Sequence, residues 1–402
     1  MNQIPFSPPD ITETEIEMVT EVLKSGWITT GPKTKEFERE ISSYCGTDKT
    51  ICLNSATACM ELCLRLLGVG PGDEVITSAY TYTASASVIN HVGAKLVLVD
   101  TEKDSYHLSY EELEKAITPN TKVIIPVDIA GVMCDYEEIY RIIEDKKSLF
   151  KPKNELQELF NRIIVLADAA HSFGAISQSN RSGNVADFTS FSFHAVKNLT
   201  TSEGGALTWR TLGNEWDNSI YNFLNIYSLH GQTKDALAKT NLGAWEYDIV
   251  FPAYKCNMTD IQAAIGLAQI RRYQKILSKR EHLVRSYTKW ENKFENLRFI
   301  DHLTSSKKSS SSYHLMMAKI DLRQNRRDRL ITDLAEAGIA TNVHYKPLPL
   351  LSAYKNMGFN INDFPNAMSQ YLNEITFPLY QKLETEDVNY IMETARKIVR
   401  RL

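Results

Sequence analysis

The chain has no apolar run long enough to cross a bilayer, no basic opening segment followed by an apolar one, and no polybasic stretch. The first two absences argue against a membrane span or a secretory leader and predict a soluble, cytoplasmic protein. The third, with 45 Lys and Arg set against 49 Asp and Glu for a net charge of −4, argues against nucleic acid as a partner. Cysteine is sparse. Cys45, Cys52, Cys59, Cys63, Cys134 and Cys256 form neither a CxxC pair nor a regular framework, so reduced thiols are the simplest account and no metal site is expected. There is no internal repeat. What remains, 402 residues at 43% hydrophobic content, is enough to bury a substantial core in two or three domains.

Short apolar runs alternate with helical patterns through the first half. Glu74–Thr77, Lys95–Val99, Lys122–Ile125 and Ile163–Leu166 read as strands, and one intervening helix opens on the capping box Ser109-Tyr-Glu-Glu112. Such alternation predicts an α/β protein with a mainly parallel sheet covered by helices on both faces. After a helix expected from about Ile261 to Ile276 the pattern changes to a charged helix, a polar, mobile serine-rich loop from Ser305 to Ser312, and short mixed elements. The domain change is placed near residue 265, giving an arm and large domain over 1–265 and a small domain over 266–402.

Lys197 carries the chemistry. It follows the strand-like run Phe188–Phe193 and precedes the glycine-rich turn ending at Gly205. A lysine amine condenses with an aldehyde to give a Schiff base, and pyridoxal phosphate enzymes pair such a lysine with an acid that serves the pyridinium nitrogen. Asp168, at the carboxyl end of the Ile163–Leu166 strand, stands where open α/β sheets place ligands; alone it reads equally as a helix cap or an ion-pair partner. A third element, Thr50–Asn54 running into Ser55-Ala56-Thr57 and an apolar helix, presents hydroxyls beside free backbone amides. A helix start of this kind seats a phosphate, or Ser55 simply caps the helix. Ser192 offers another hydroxyl.

These residues resemble a known family. Gly26–Pro32, Asn54–Ala58, Ala167–His171, Ser192–Gly205 and Tyr254–Ile261 are together similar to the DegT/DnrJ sugar-nucleotide aminotransferases, over nearly the whole chain. The resemblance implies fold type I, the aspartate aminotransferase-like architecture, with a mostly parallel sheet flanked by helices and a smaller C-terminal α+β domain. It implies a pyridoxal phosphate cofactor, passing through pyridoxamine phosphate, with Lys197 as its covalent attachment and Asp168 on the ring nitrogen. His171 would lie near the ring and Tyr82 stack on it; Ser55, Ala56, Thr57 and Ser192 would hold the phosphate. Asn257 would reach the phosphate from the neighbouring subunit, making a homodimer with shared sites. Thr29, Thr30, Gly31, His344 and Tyr345 match sugar-side positions. Read without the family, Tyr82 is also a plain strand residue and Asn257 a helix cap.

The implied reaction moves an amine, commonly from L-glutamate, to the 4-keto carbon of a nucleotide-linked 6-deoxy sugar. The favoured substrate is a UDP-2-acetamido-4-keto-2,6-dideoxyhexose for surface polysaccharide such as lipopolysaccharide. The alternatives are a 3-keto, pentose or perosamine-precursor sugar, and a regulator that binds the cofactor without turnover. Lys197 favours transamination, since family members that dehydrate carry histidine there. Two positions depart from the usual pattern: Ala167 replaces a common glutamate and Asp128 a frequent histidine. The charged stretch Glu144–Gln157 looks like an insertion that either covers the sugar pocket or, as the default, is a solvated loop.

Overall fold

The computed structural model describes residues 3–233, 246–303, 309–321 and 326–402. Seven strands form one sheet in the order β1 (Thr50–Leu53), β9 (Gly205–Trp209), β8 (Phe188–Ser192), β5 (Ile164–Asp168), β4 (Thr121–Ile125), β2 (Glu74–Ser78) and β3 (Lys95–Val99). All run parallel except β9, which pairs antiparallel with both β1 and β8. The strands are apolar on both faces because helices cover both. Val123, Ile125, Ile164 and Leu166 point into one buried cluster, and Ile124, Val165 and Ala167 into the other, as the two-residue period of a doubly covered sheet requires.

A second sheet of three antiparallel strands, β10 (Leu297–Phe299), β11 (Met316–Ile320) and β12 (Glu374–Phe377), organises a third apolar cluster. The arm docks here: Ile4 N–H donates to Gly338 O at 2.8 Å and Ile4 O accepts from Ala340 N–H at 3.0 Å. A two-stranded ribbon, β6 (Ile176–Ser177) with β7 (Asn180–Arg181), completes the strands of the described residues.

Three expectations change. The helix expected from Ile261 to Ile276 is two helices, Asp260–Arg271 and Tyr273–Thr288; the chain turns at Arg272, whose guanidinium is pinned by Asp10 at 2.6 Å and Glu15 at 2.8 Å. The serine-rich loop was expected to be mobile. Its residues 305–308 lie outside the described residues, but Ser311 and Ser312 are buried, with Ser311 Oγ on Gly131 O and Ser312 Oγ on His171 O. Strand β9 was read only as the end of a turn. It begins at Gly205, and a Cβ there would stand 2.4 Å from Ser55 C and 2.5 Å from Ala56 N. Only glycine lets the start of the Ala56–Leu66 helix approach the sheet this closely.

The charged stretch lies at the far end of the sheet from Asp168. Lys153 pairs with buried Asp73 at 2.6 Å, Lys151 O accepts from Lys122 Nζ, and Asn154 Nδ2 donates to Leu67 O. Asp73 and Lys122 sit where β2 and β4 begin, whereas Asp168 ends β5. The stretch therefore does not cover the cavity that Asp168 lines.

Candidate active site

The carboxyl ends of the parallel strands open onto a cavity of about 340 Å³, a size typical of cofactor sites. Of the expected residues, Ser55, Ala56, Thr57, Tyr82, Asp168, His171, Ser192, Lys197 and Tyr345 line it together. Thr29, Thr30, Gly31, Asn257 and His344 do not.

Asp168 is the last residue of β5 and is buried. Its carboxylate accepts from Ser85 Oγ at 2.6 Å and from Ala170 N–H at 3.2 Å. Burial raises its pKa from the ordinary carboxylate value, while Ser85, Ala170 and the Lys197 charge work the other way. Lys197 sits in the turn after β8. Burial lowers its amine to about 8, with Asp168 opposing. A buried carboxylate calls for a cation, and an amine titrating near 8 is free base often enough to act as nucleophile and base.

The phosphate end is built from a helix start. Ser55 caps the Ala56–Leu66 helix, its Oγ accepting from Ala58 N–H at 3.1 Å. It is thus a cap and a cavity residue at once, and a helix start of this kind leaves first-turn amides free for an anion. Ser192 and Gly204 line the same region. Tyr82 lies outside any strand, at the N-cap of the Thr83–His91 helix; it is 61% exposed at the cavity, where an aromatic has a free face to stack.

His171 is held on both ring nitrogens. Nδ1 accepts from Ala130 N–H at 3.2 Å and Nε2 meets the Tyr345 hydroxyl at 3.0 Å. Burial, then the charges of Lys197 and His344, push its pKa well below the usual value, so the ring is neutral. Tyr345 arrives on a loop clamped by residues the sequence did not single out. His344 N–H donates to Glu374 at 2.9 Å, His344 Nδ1 contacts Thr376 Oγ1 at 2.9 Å, and His344 O accepts from Tyr80 OH at 2.8 Å. Ser85, Glu374, Thr376 and Tyr80 were all missed.

The remaining expected residues form a separate cluster. Asn257 Nδ2 donates to Thr30 Oγ1 at 2.5 Å, and Thr30 Oγ1 donates to Met258 O at 2.5 Å. Gly31 N–H donates to Asp260 at 2.8 Å. Asn257 does not cap the following helix; Thr259 does, with Gln262 completing a capping box.

The cavity fits pyridoxal phosphate. It has an acid for the ring nitrogen, an amine for the aldehyde, an aromatic for the ring face, and a glycine-cradled helix start for the phosphate. Among the described residues no group of three or more His, Cys, Asp and Glu is arranged to hold a metal ion, and no helix is long and apolar enough to cross a membrane.

Residues 9–396 match the model of the DegT/DnrJ/EryC1/StrS aminotransferase family. The chain belongs to this family. It is 34% identical to the spore coat polysaccharide biosynthesis protein SpsC of Bacillus subtilis, over 99% of this chain and 97% of that protein. It is 32% identical to the UDP-4-amino-4-deoxy-L-arabinose–oxoglutarate aminotransferase of Shewanella sediminis, over 98% of each. Among solved structures, the putative sugar aminotransferase Spr1654 of Streptococcus pneumoniae in its PLP form superposes with a TM-score of 0.95 at 51% identity, covering 100% of this chain and 99% of that one. Its PMP form gives 0.94 at 53% identity.

Proposed function

We propose that this protein, a pyridoxal phosphate-dependent sugar aminotransferase, moves the amino group of L-glutamate to the 4-keto carbon of a UDP-linked 2-acetamido-6-deoxy hexose destined for surface polysaccharide. The observation that carries the reaction class is the convergence of Lys197 and the buried carboxylate of Asp168 on one cofactor-sized cavity, in a family of aminotransferases. UDP, the 4-position and the glutamate–oxoglutarate couple are supported by the Shewanella relative's name, and polysaccharide by the Bacillus one. The former also favours a second reading, a UDP-linked 4-keto pentose.

When bound, pyridoxal phosphate supplies a protonated ring that delocalises the electron pair left on the substrate carbon. The chain's residues do the rest. Lys197 takes up and returns the proton of the donor's α-carbon, which its lowered pKa suits. Asp168, fixed by Ser85 and Ala170, keeps the ring nitrogen protonated. Tyr82 fixes the ring plane, and Ser55, Ala56, Thr57 and Ser192 bind the phosphate.

A homodimer with shared sites is part of the proposal. Asn257 and Thr30 bond to each other outside the cavity of their own chain, and Ile11, Ile16, Leu23, Ile28, Ile249 and Val250 are exposed, a pattern that suits an interface. Mixing inactive Lys197→Ala and Asn257→Ala homodimers should restore one working site per exchanged dimer; no recovery after verified exchange refutes shared sites. The substrate is tested with UDP, GDP and dTDP keto sugars and products assigned by NMR. Fastest turnover of the acetamido 4-keto hexose is expected, and faster turnover of a pentose or 3-keto sugar overturns the assignment.

A further inference from the structure

The hydrogen-bond network around His171 fixes where one proton must be. A backbone N–H only donates, so the contact from Ala130 makes His171 Nδ1 an acceptor. The ring is neutral, so its single proton is on Nε2. Nε2–H therefore donates to the Tyr345 oxygen at 3.0 Å, and the Tyr345 hydroxyl proton is left over. That hydroxyl belongs to a side chain lining the cavity with Lys197 and Asp168.

The placement is enforced from several sides. The Tyr345 ring lies 5.9 Å from Tyr82 and 6.1 Å from His171, stacked on the latter at 23°. Its loop is tied down by Glu374, Thr376 and Tyr80 through the neighbouring His344. His171 itself packs 4.5 Å from the His314 ring, whose Nδ1 meets Asn198 Oδ1 at 2.9 Å. A donor held this firmly loses little on reorganising during a reaction.

We infer that Tyr345 donates a hydrogen bond to the carbonyl oxygen of the keto substrate as negative charge builds on it, with His171 as the residue that positions the hydroxyl and directs its proton into the cavity. Tyr345 thereby handles the oxygen, and Lys197 the carbon-bound proton. The inference rests on the aminotransferase reading but on no particular sugar, because the carbonyl of a 2-oxo acid presents the same oxygen.

The test uses Tyr345→Phe holoenzyme, which loses one oxygen atom and keeps the ring. Two rates are compared with wild type: amine transfer to a keto acceptor, either a 2-oxo acid or a nucleotide keto sugar, and exchange of the amino donor's α-hydrogen with solvent deuterium, which needs no carbonyl oxygen donor. Amine transfer should fall by about 10²-fold, the usual cost of one such donor, while α-hydrogen exchange and the pH titration of the resting absorbance band stay within about twofold of wild type. Unchanged amine transfer overturns the inference. So does a parallel fall in both rates, or a displaced titration of the resting band, which would assign the hydroxyl to the cofactor ring. Because the 2-oxo acid arm reads out whatever the sugar, failure of every nucleotide sugar to accept the amine would refute the substrate proposal and leave the Tyr345 comparison decisive.

Discussion

The two walls of the cavity are built in opposite ways. One wall comes from the carboxyl ends of strands of the large sheet: Asp168 closes β5, Ser192 closes β8, Lys197 follows five residues later, and Ser55 to Thr57 start the helix after β1. The other is Tyr345 on a single loop, whose neighbour His344 is tied to the small sheet by Glu374 and Thr376 and to the turn after β2 by Tyr80. The first wall is a by-product of sheet topology, which delivers its residues wherever the strands end. The second depends on a few buried polar bonds between distant segments, so its geometry rests on side chains that single substitutions can remove.

The sharpest break is in the strand-end wall. Lys197→Ala should lower turnover by about 10⁴-fold or more, at the upper end of what a positioned acid-base group contributes, while noncovalent cofactor persists in equilibrium dialysis. Borohydride reduction and digestion of wild type should leave the pyridoxyl mass on Lys197; recovery on another lysine removes the assignment. Asp168→Asn should cost about 10²- to 10³-fold with the fold intact by circular dichroism, since an amide cannot hold the ring nitrogen protonated. Near-normal turnover would mean another group does so.

The loop wall should break more gently, and through stability. Glu374 is fully buried, accepting from His344 N–H and from Thr376 Oγ1 at 2.5 Å. Glu374→Ala leaves the His344 N–H without its acceptor and Thr376 Oγ1 with only His344 Nδ1 as a partner, and should lower unfolding free energy by about 2–3 kcal/mol, measured by urea titration. The charge has its own signature. Burial pushes the carboxyl up to about 8, against Thr376, His344 N–H and Arg327. A carboxyl whose folded pKa lies above its unfolded value stabilises fully below the unfolded pKa, and that contribution is lost as pH rises through the folded one. Wild type should therefore lose stability relative to Glu374→Gln between about pH 5 and pH 8. Parallel stability curves for the two proteins would show that Glu374 does not titrate in that window.

This asymmetry also explains what was legible in the sequence. Lys197 and Asp168 declare themselves because strand, turn and glycine surround each within a few residues, and the sheet then brings them together. Ser85, which fixes Asp168, is 83 residues away and lies inside an ordinary helix pattern; nothing local marks it. Glu374 carries no local signal either, and only the structure shows that one of its partners is a backbone N–H 30 residues earlier. Strand β9 was hidden because a reversed strand entering a parallel sheet carries no distinctive local pattern, and its first glycine reads as turn. Ser311 and Ser312 were mistaken for mobile chain because composition reports polarity, while burial depends on Gly131 and His171 being there to accept their hydroxyls.

The smallest effect is expected at the end of the sheet remote from both walls. Asn154 accepts from Gln157 N–H at 2.9 Å to cap the Glu155–Phe160 helix, and its Nδ2 donates to Leu67 O at 3.0 Å. Asn154→Ala should cost about 1 kcal/mol in unfolding free energy, the usual value for a lost cap, and leave kcat and KM for the nucleotide sugar within about twofold. The carbonyl of Leu67 keeps a second donor, Gln157 Nε2 at 2.7 Å, which limits the loss. A raised KM with unchanged stability would connect the Glu144–Gln157 segment to the sugar after all, and since it sits beyond the opposite strand ends of its own chain, that connection would have to run through a partner subunit.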